Sequence, residues 1–348
     1  MIKNKALPPS LVYVSDAETG YKRDRGGDGF VYLDQRGQLI TDKKILDRIR
    51  NLGIPPMWEN VWICRKAKGH IQATGRDTKG RKQYVYHNEW NEFINEQKYD
   101  NLYNFALALP RIREQMKKAL RNRKWNKEKV TALAISLMDV AYLRVGNQQY
   151  RKLNGTYGLT TLRRKHLQEN RDGLVLRYMA KSGKLRRITI RDPRLKRLLR
   201  ECSELPGYEL FRYQSEGGFH SITSQDVNQY LLEISGGYFT AKTFRTWGGT
   251  VLAVKLEPKA RALLVQYPRR KPDTTLIRLV AEELNNTISV CRKYYIHPLV
   301  LEFMINGNWA DLPPVPEENS EWYNPDERIC LRILKHTNQS VDDHDNSL

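Results

Sequence analysis

Over its first ninety residues the chain alternates apolar and polar positions in short stretches, the period of β-strands. The stretch FVYLDQRGQLI from Phe30 to Ile40 predicts two strands about a turn at Arg36-Gly37. Thr41 then stands as the N-cap of a helix over DKKILDRIRNLG, ended by Gly53 and Pro55. Val61 to Cys64 and Gln83 to His87 predict further strands. Between them the basic, glycine-punctuated run ATGRDTKGRK predicts a loop. From about Asn91 the apolar spacing becomes helical. Helices are predicted over Leu102 to Leu120, with Pro110 as a break or kink, and over Glu128 to Arg144. Leu159 to Ile190 returns to strands: GLTTL, a turn at Asp172-Gly173, LVLRYMA, the tight turn KSGK, and LRRITI. The chain then reads as mostly helical to about Asn306. Residues 311 to 326 are rich in proline and acids, and Val341 to Leu348 predicts a disordered acidic tail. The fold class is therefore α+β: a small β-rich N-terminal domain over 1–90, a larger mostly α domain over 91–310 with a β-hairpin region at 159–190, and an acidic C-terminal segment over 311–348.

Charge narrows the partner. The formal net charge is +20. From Asp311 onward nine acids face three bases, so the preceding 310 residues hold 56 bases and 30 acids. Such an excess concentrates a polyanion, and nucleic acid is the usual one. There is no run of about 18 apolar residues, so no membrane span is expected, and MIKNKALPPSLVYVSD lacks a secretory signal, so the expected location is cytoplasmic. The four scattered cysteines (Cys64, Cys202, Cys291, Cys330) form no CxxC pair and read as reduced structural thiols without zinc.

The chemistry must come from side chains. No GxxxxGK[ST] loop, no HExxH pair and no clustered acids occur, so neither ATP, a metal nor another cofactor is expected. Phosphodiester cleavage would then need cations on the phosphate and a side-chain nucleophile. Four segments supply such groups. AYLRVGNQQY places Arg144 at a helix end before Gly146, where its fork could span two phosphate oxygens. MAKSGK puts Lys181 at the start of a tight turn. FTAKTFRTWGGT starts a helix at Thr240 and sets Lys242 and Arg245 three apart on one face. NNTISVCRKYYIHP carries two tyrosines beside a basic pair. Each segment alone more often marks an ordinary surface, core or backbone-phosphate contact than a catalytic group.

Together, in this order and spacing, YLRVGNQQY with NGTYGLTTLRRKHL, AKSGK, TAKTFRTWGGTVLA and NNTISVCRKYYIHP resemble the poxvirus-like bacterial branch of the type IB DNA topoisomerases, from about Leu11 to Asn306. The resemblance implies a catalytic domain of the tyrosine recombinase/type IB topoisomerase kind and a monomer acting on duplex DNA, preferably supercoiled, in the nucleoid; the domain order and the basic charge suggest that it acts as a clamp. It implies Tyr295 as nucleophile, Arg144 and Arg245 as contacts to the scissile phosphate, and Lys181 as acid for the leaving 5′ oxygen. It makes Lys242 a supporting phosphate contact and Gln83, Tyr84 and Tyr150 DNA contacts. Asn286 stands where poxvirus-type members carry histidine, nine residues before the nucleophile. An asparagine there can donate a hydrogen bond but cannot relay a proton. A tyrosine recombinase would usually have histidine in place of Lys242 and a helical N-terminal domain. A non-catalytic DNA-binding protein would not need the set Arg144, Lys181, Arg245 and Tyr295.

Overall fold

The computed structural model describes residues 8–27, 29–78, 80–171, 173–306, 312 and 320–345. The chain divides into two units between Lys98 and Tyr99, eight residues beyond the boundary suggested by the change of period. The first unit holds β1 (Tyr21–Gly26), β2 (Gly29–Leu33), α1 (Lys43–Asn51), β3 (Glu59–Ile63), β4 (Ile71–Arg76) and β5 (Lys82–Tyr86). Its strands form one antiparallel sheet in the order β2-β1-β3-β4-β5. Ile49 of α1 closes a core with Val61, Ile63 and Ala73.

Two details differ from the sequence reading. The cap of α1 is Asp42, not Thr41: its carboxylate accepts from the Lys44 and Ile45 amides at 2.8 and 3.2 Å, and a charged acceptor suits a helix N-terminus. The run ATGRDTKGRK is also not all loop, because its first half belongs to β4. Gly75 marks a close approach rather than a turn: a Cβ there would lie 2.9 Å from the Trp58 ring.

The second unit contains most of α2 (Asn88–Ala119), then α3 (Lys127–Ala141), α4 (Gln148–Asn154), β6 (Leu167–Asn170), β7 (Gly173–Ala180), β8 (Lys184–Thr189) and α5 (Pro193–Glu204). There follow β9 (Arg212–Ser215), β10 (Gly218–Ser221), α6 (Ser224–Ser235), α7 (Ala241–Gln266), α8 (Pro272–Glu283), α9 (Ile288–Tyr294), α10 (Pro298–Asn306) and α11 (Pro325–Asp345). Strands β6, β7 and β8 form one antiparallel sheet, and β9 and β10 another. Helix α7 is the hub and packs against α3, α8, α10 and α11, which buries Phe244, Trp247 and Val251.

Pro110 does not interrupt α2. Proline has no amide proton, so the Ala106 carbonyl loses its helical donor. The Tyr323 hydroxyl donates to that carbonyl instead, at 2.8 Å. The stretch GLTTL forms a 3₁₀ turn rather than a strand, because its amides serve a neighbouring segment described below. The turn predicted at Asp172-Gly173 is half outside the described residues. The C-terminal segment differs most: where a disordered tail was expected from Val341, α11 runs to Asp345, and residues 346–348 lie outside the described residues. Cys330, Leu331, Ile333 and Leu334 on its first turns join the main core. All four cysteines are buried and unpaired. No helix among the described residues is long and apolar enough to cross a membrane.

Candidate active site

Helix α3 stops before Arg144. Tyr142 takes the left-handed conformation, φ 52°, and caps it, so Arg144 lies on the extended segment that follows rather than at a helix end. Backbone bonds fix that segment: Leu159 and Thr160 amides donate to the Arg144 and Val145 carbonyls, both at 2.8 Å. The two strands of chain touch because glycines face each other. A Cβ on Gly146, whose φ is +83°, would lie 2.9 Å from the Gly158 Cα. This explains the sequence pair RVG and YGLTT, whose partnership the pattern alone did not reveal.

Asn286 sits between two helix ends. Asn285 at φ 51° stops α8, and Thr287 caps α9 by accepting the Val290 amide at 3.3 Å. Arg144 Nη2 donates to Asn286 Oδ1 at 2.7 Å. At the other end of α9 stands Tyr295, its amide bonded to the Cys291 carbonyl at 3.0 Å. Helix α7 approaches Tyr295 through Gly249, where a Cβ would lie 3.0 Å from the Tyr295 Cβ and nearer still to its carbonyl oxygen. The next residue, Thr250, accepts the His297 amide at 3.1 Å, anchoring the chain just past the tyrosine.

Arg245 projects from α7 and is 2% exposed. Its guanidinium donates to the Tyr142 and Leu284 carbonyls and lies 5.1 Å from the centroid of the Tyr295 ring. A second buried arginine, which the sequence reading did not single out, lies beside it: Arg186 donates to the Ala141 carbonyl at 2.7 Å and to Leu284 at 3.3 Å. Both guanidiniums thus face the carbonyl ends of α3 and α8, where the helix dipoles are negative. Burial, then the charge of Arg144, pulls the Arg245 pKa down to about 10, so the group stays a cation at neutral pH. Burial pushes the Cys291 thiol up to about 11, against the pull of Arg245 and Arg144; it is a neutral packing group beneath the site.

Two buried donors in this cluster, Arg245 Nε and Asn286 Nδ2, have no hydrogen-bond partner among the described residues. Such groups are costly unless an acceptor meets them. Arg245 lies beside the Tyr295 ring and Arg144 bonds Asn286, so the cluster offers donors of the kind that a phosphodiester's non-bridging oxygens accept.

Arg144, Arg245, Asn286 and Tyr295 are therefore brought together. Lys181 and Lys242 are not part of that buried group. Lys181 is exposed at the turn between β7 and β8, where Ser182 and Gly183 are left-handed at φ 67° and 68°. Lys242 is exposed on the first turn of α7, so it does not share the surroundings of Arg245, three residues on. In the first unit, β5 turns adjacent residues to opposite faces. Gln83 donates to the Asp77 carboxylate at 2.9 Å, while Tyr84 is exposed and stacks on Tyr86 at 5.7 Å. Tyr150 is on α4, and its side chain lies outside the described residues.

Comparison with known proteins gives the family. Residues 87–304 match the family described as eukaryotic DNA topoisomerase I, catalytic core, and residues 29–77 match bacterial DNA topoisomerase IB, N-terminal domain. The DNA topoisomerase 1B of Acanthamoeba polyphaga mimivirus is 32% identical, over 92% of this chain and 96% of its own. That of vaccinia virus, strain Copenhagen, is 21% identical over 79% and 90%, and the DNA topoisomerase 1 of rabbit fibroma virus 23% over 80% and 90%. The chain belongs to the type IB DNA topoisomerases. DNA is the substrate of this topoisomerase, a polyanion as the charge implied. The matched core ends at residue 304, so α11 lies beyond it although its apolar face is part of the same packed unit.

Proposed function

We propose that Tyr295 is the nucleophile of this type IB topoisomerase and that Arg144, Arg245 and Asn286 form its phosphate cradle. The Tyr295 hydroxyl gives up its proton to solvent and its oxygen attacks the scissile phosphorus. The bond from phosphorus to the 5′ oxygen breaks, and Lys181 supplies a proton to that leaving oxygen. Arg144 and Arg245 neutralise charge gathering on the non-bridging oxygens, while Asn286 Nδ2 donates a neutral hydrogen bond. The result is a 3′-phosphotyrosyl link and a free 5′ hydroxyl. The ester keeps the energy of the broken phosphodiester, so the reverse attack reseals the strand without ATP or metal. Between the two steps the duplex rotates, and torsional strain of either sign is released.

The observation that carries this reading is the pair of buried donors, Arg245 Nε and Asn286 Nδ2, that have no partner among the described residues, in a cluster whose arginine lies 5.1 Å from the Tyr295 ring centroid. Lys242, Gln83, Tyr84 and Tyr150 serve as DNA contacts outside that cradle. The protein acts as a monomeric clamp on duplex DNA, preferring supercoiled substrate, in the cytoplasm at the nucleoid. The test is relaxation of positively and negatively supercoiled plasmid in EDTA without ATP. Wild type should relax both and Tyr295→Phe neither; relaxation by the variant would transfer the nucleophile's role, with Tyr294 the next candidate.

A further inference from the structure

We propose that Arg186 is a positioning residue that holds the Lys181 hairpin in register with the phosphate cradle. Arg186 is 8% exposed, and it forms no ion pair with a carboxylate among the described residues. A buried cation in that state is expensive unless its donors are well used. Its donors are used on two helix ends. The Ala141 carbonyl closes α3, immediately before Tyr142 and the segment that carries Arg144. The Leu284 carbonyl closes α8, immediately before Asn285 and Asn286. Arg245 grips the same two places from α7, through Tyr142 and Leu284.

The two arginines differ in what they are attached to. Arg245 ties the helix ends to the helix behind Tyr295. Arg186 ties them to β8, the strand that leads directly from the hairpin turn. In the ladder, Arg186 pairs with Tyr178 and Lys184 with Ala180, so the anchor lies two rungs, about 7 Å, from the turn that bears Lys181. A strand held this close to its tip is a short, stiff lever. Tyr178 is buried opposite Arg186 and fixes the same rung. An exposed lysine on a mobile tip would meet the leaving oxygen only part of the time; an anchored tip keeps it in reach.

This inference rests on the reading of Lys181 as the acid, and its test separates the two. The measurement is single-turnover strand cleavage by wild type, Arg186→Met, Lys181→Ala and the double variant, with thermal melting alongside. Misplacing a catalytic group by about 1 Å can cost about 10²-fold, and a loss of that order is expected for Arg186→Met alone. In the Lys181→Ala background the same substitution should change the rate by no more than about twofold, the scatter within which two effects are told apart, because the two residues act through one another. Equal losses in both backgrounds, or no loss in either, would overturn the positioning role while a slow Lys181→Ala left the acid in place. A Lys181→Ala enzyme that cleaves at the wild-type rate would overturn both readings, and the single variant alone shows it. Should Arg186→Met fail to fold, Arg186→Lys keeps the charge and can reach one carbonyl. It should lose activity partially beside Lys181 and not at all without it.

Discussion

At the scale of single residues, Asn286 is the most informative group in the proposed cradle. Its two amide atoms have different tasks: Oδ1 accepts Arg144 Nη2 at 2.7 Å, and Nδ2 is buried with no partner among the described residues. Substitutions can separate them. Asn286→Ala removes both and should slow single-turnover cleavage about 10²–10³-fold, the cost of one donor to developing negative charge. Asn286→His restores a donor and should retain appreciable activity. Asn286→Asp keeps the acceptor for Arg144 but aims a carboxylate at the phosphate, so it should be at least as slow as alanine. An active aspartate variant would mean that residue 286 serves only to orient Arg144. Residues of this kind were legible because their types and spacing are distinctive. Arg186 was not. It is one of two adjacent arginines in LRRITI, and the strand buries it while leaving Leu185 54% exposed, the reverse of what hydropathy alone suggests.

At the scale of elements, the double glycine of α7 matters more than any helix propensity. Glycine in a helix interior costs up to about 1 kcal/mol relative to alanine, yet α7 places two in succession beside the site. Gly248 admits the Tyr142 ring and Gly249 the backbone of Tyr295. Gly249→Ala should therefore move Tyr295, the proposed nucleophile. Cleavage should fall by about 10²-fold while DNA affinity changes little, since the phosphate contacts of the first encounter remain. Cleavage at the wild-type rate would show that Tyr295 tolerates displacement. Most elements were visible in the apolar period, including the start of α7 at Thr240, where Thr243 Oγ1 accepts the Thr240 amide at 3.1 Å. The misread ones failed for long-range reasons. GLTTL looks like a strand because it carries two β-branched threonines, but its Leu159 and Thr160 amides donate to the Arg144 and Val145 carbonyls. Pro110 looks like a break because its replacement donor, Tyr323, lies 213 residues away in sequence, against the Ala106 carbonyl.

At the scale of the whole molecule, the sequence divides into a basic body and an acidic end, and the division misleads about structure. Charge counts correctly pointed to a polyanion as partner, but they made residues 311–348 look like an appendage. Instead Glu327 of α11 is buried in the second unit. It accepts from Arg113 of α2 at 2.7 and 2.9 Å and from Trp247 of α7 at 3.0 Å, and Arg113 is shared with Asp139 of α3. Trp247 stands two residues from Arg245, so the chain end braces the helix that carries the site. Removing one partner of such a buried pair costs about 3–5 kcal/mol because the other charge is stranded; Glu327→Ala should lower unfolding stability by that order. The pH dependence has a definite sign. Burial alone would raise the Glu327 pKa, but hydrogen bonds and charge from Arg113 outweigh it, and the net value lies below the ordinary 4.5. The folded state therefore binds this proton less readily than the unfolded chain. The stabilisation is complete above 4.5 and is lost as pH falls from there through the lower folded value. Denaturant titrations of wild type and Glu327→Gln across that acid range should show a smaller decline for the glutamine variant. Parallel declines would mean that Glu327 is not the group whose protonation loosens the chain end from α7.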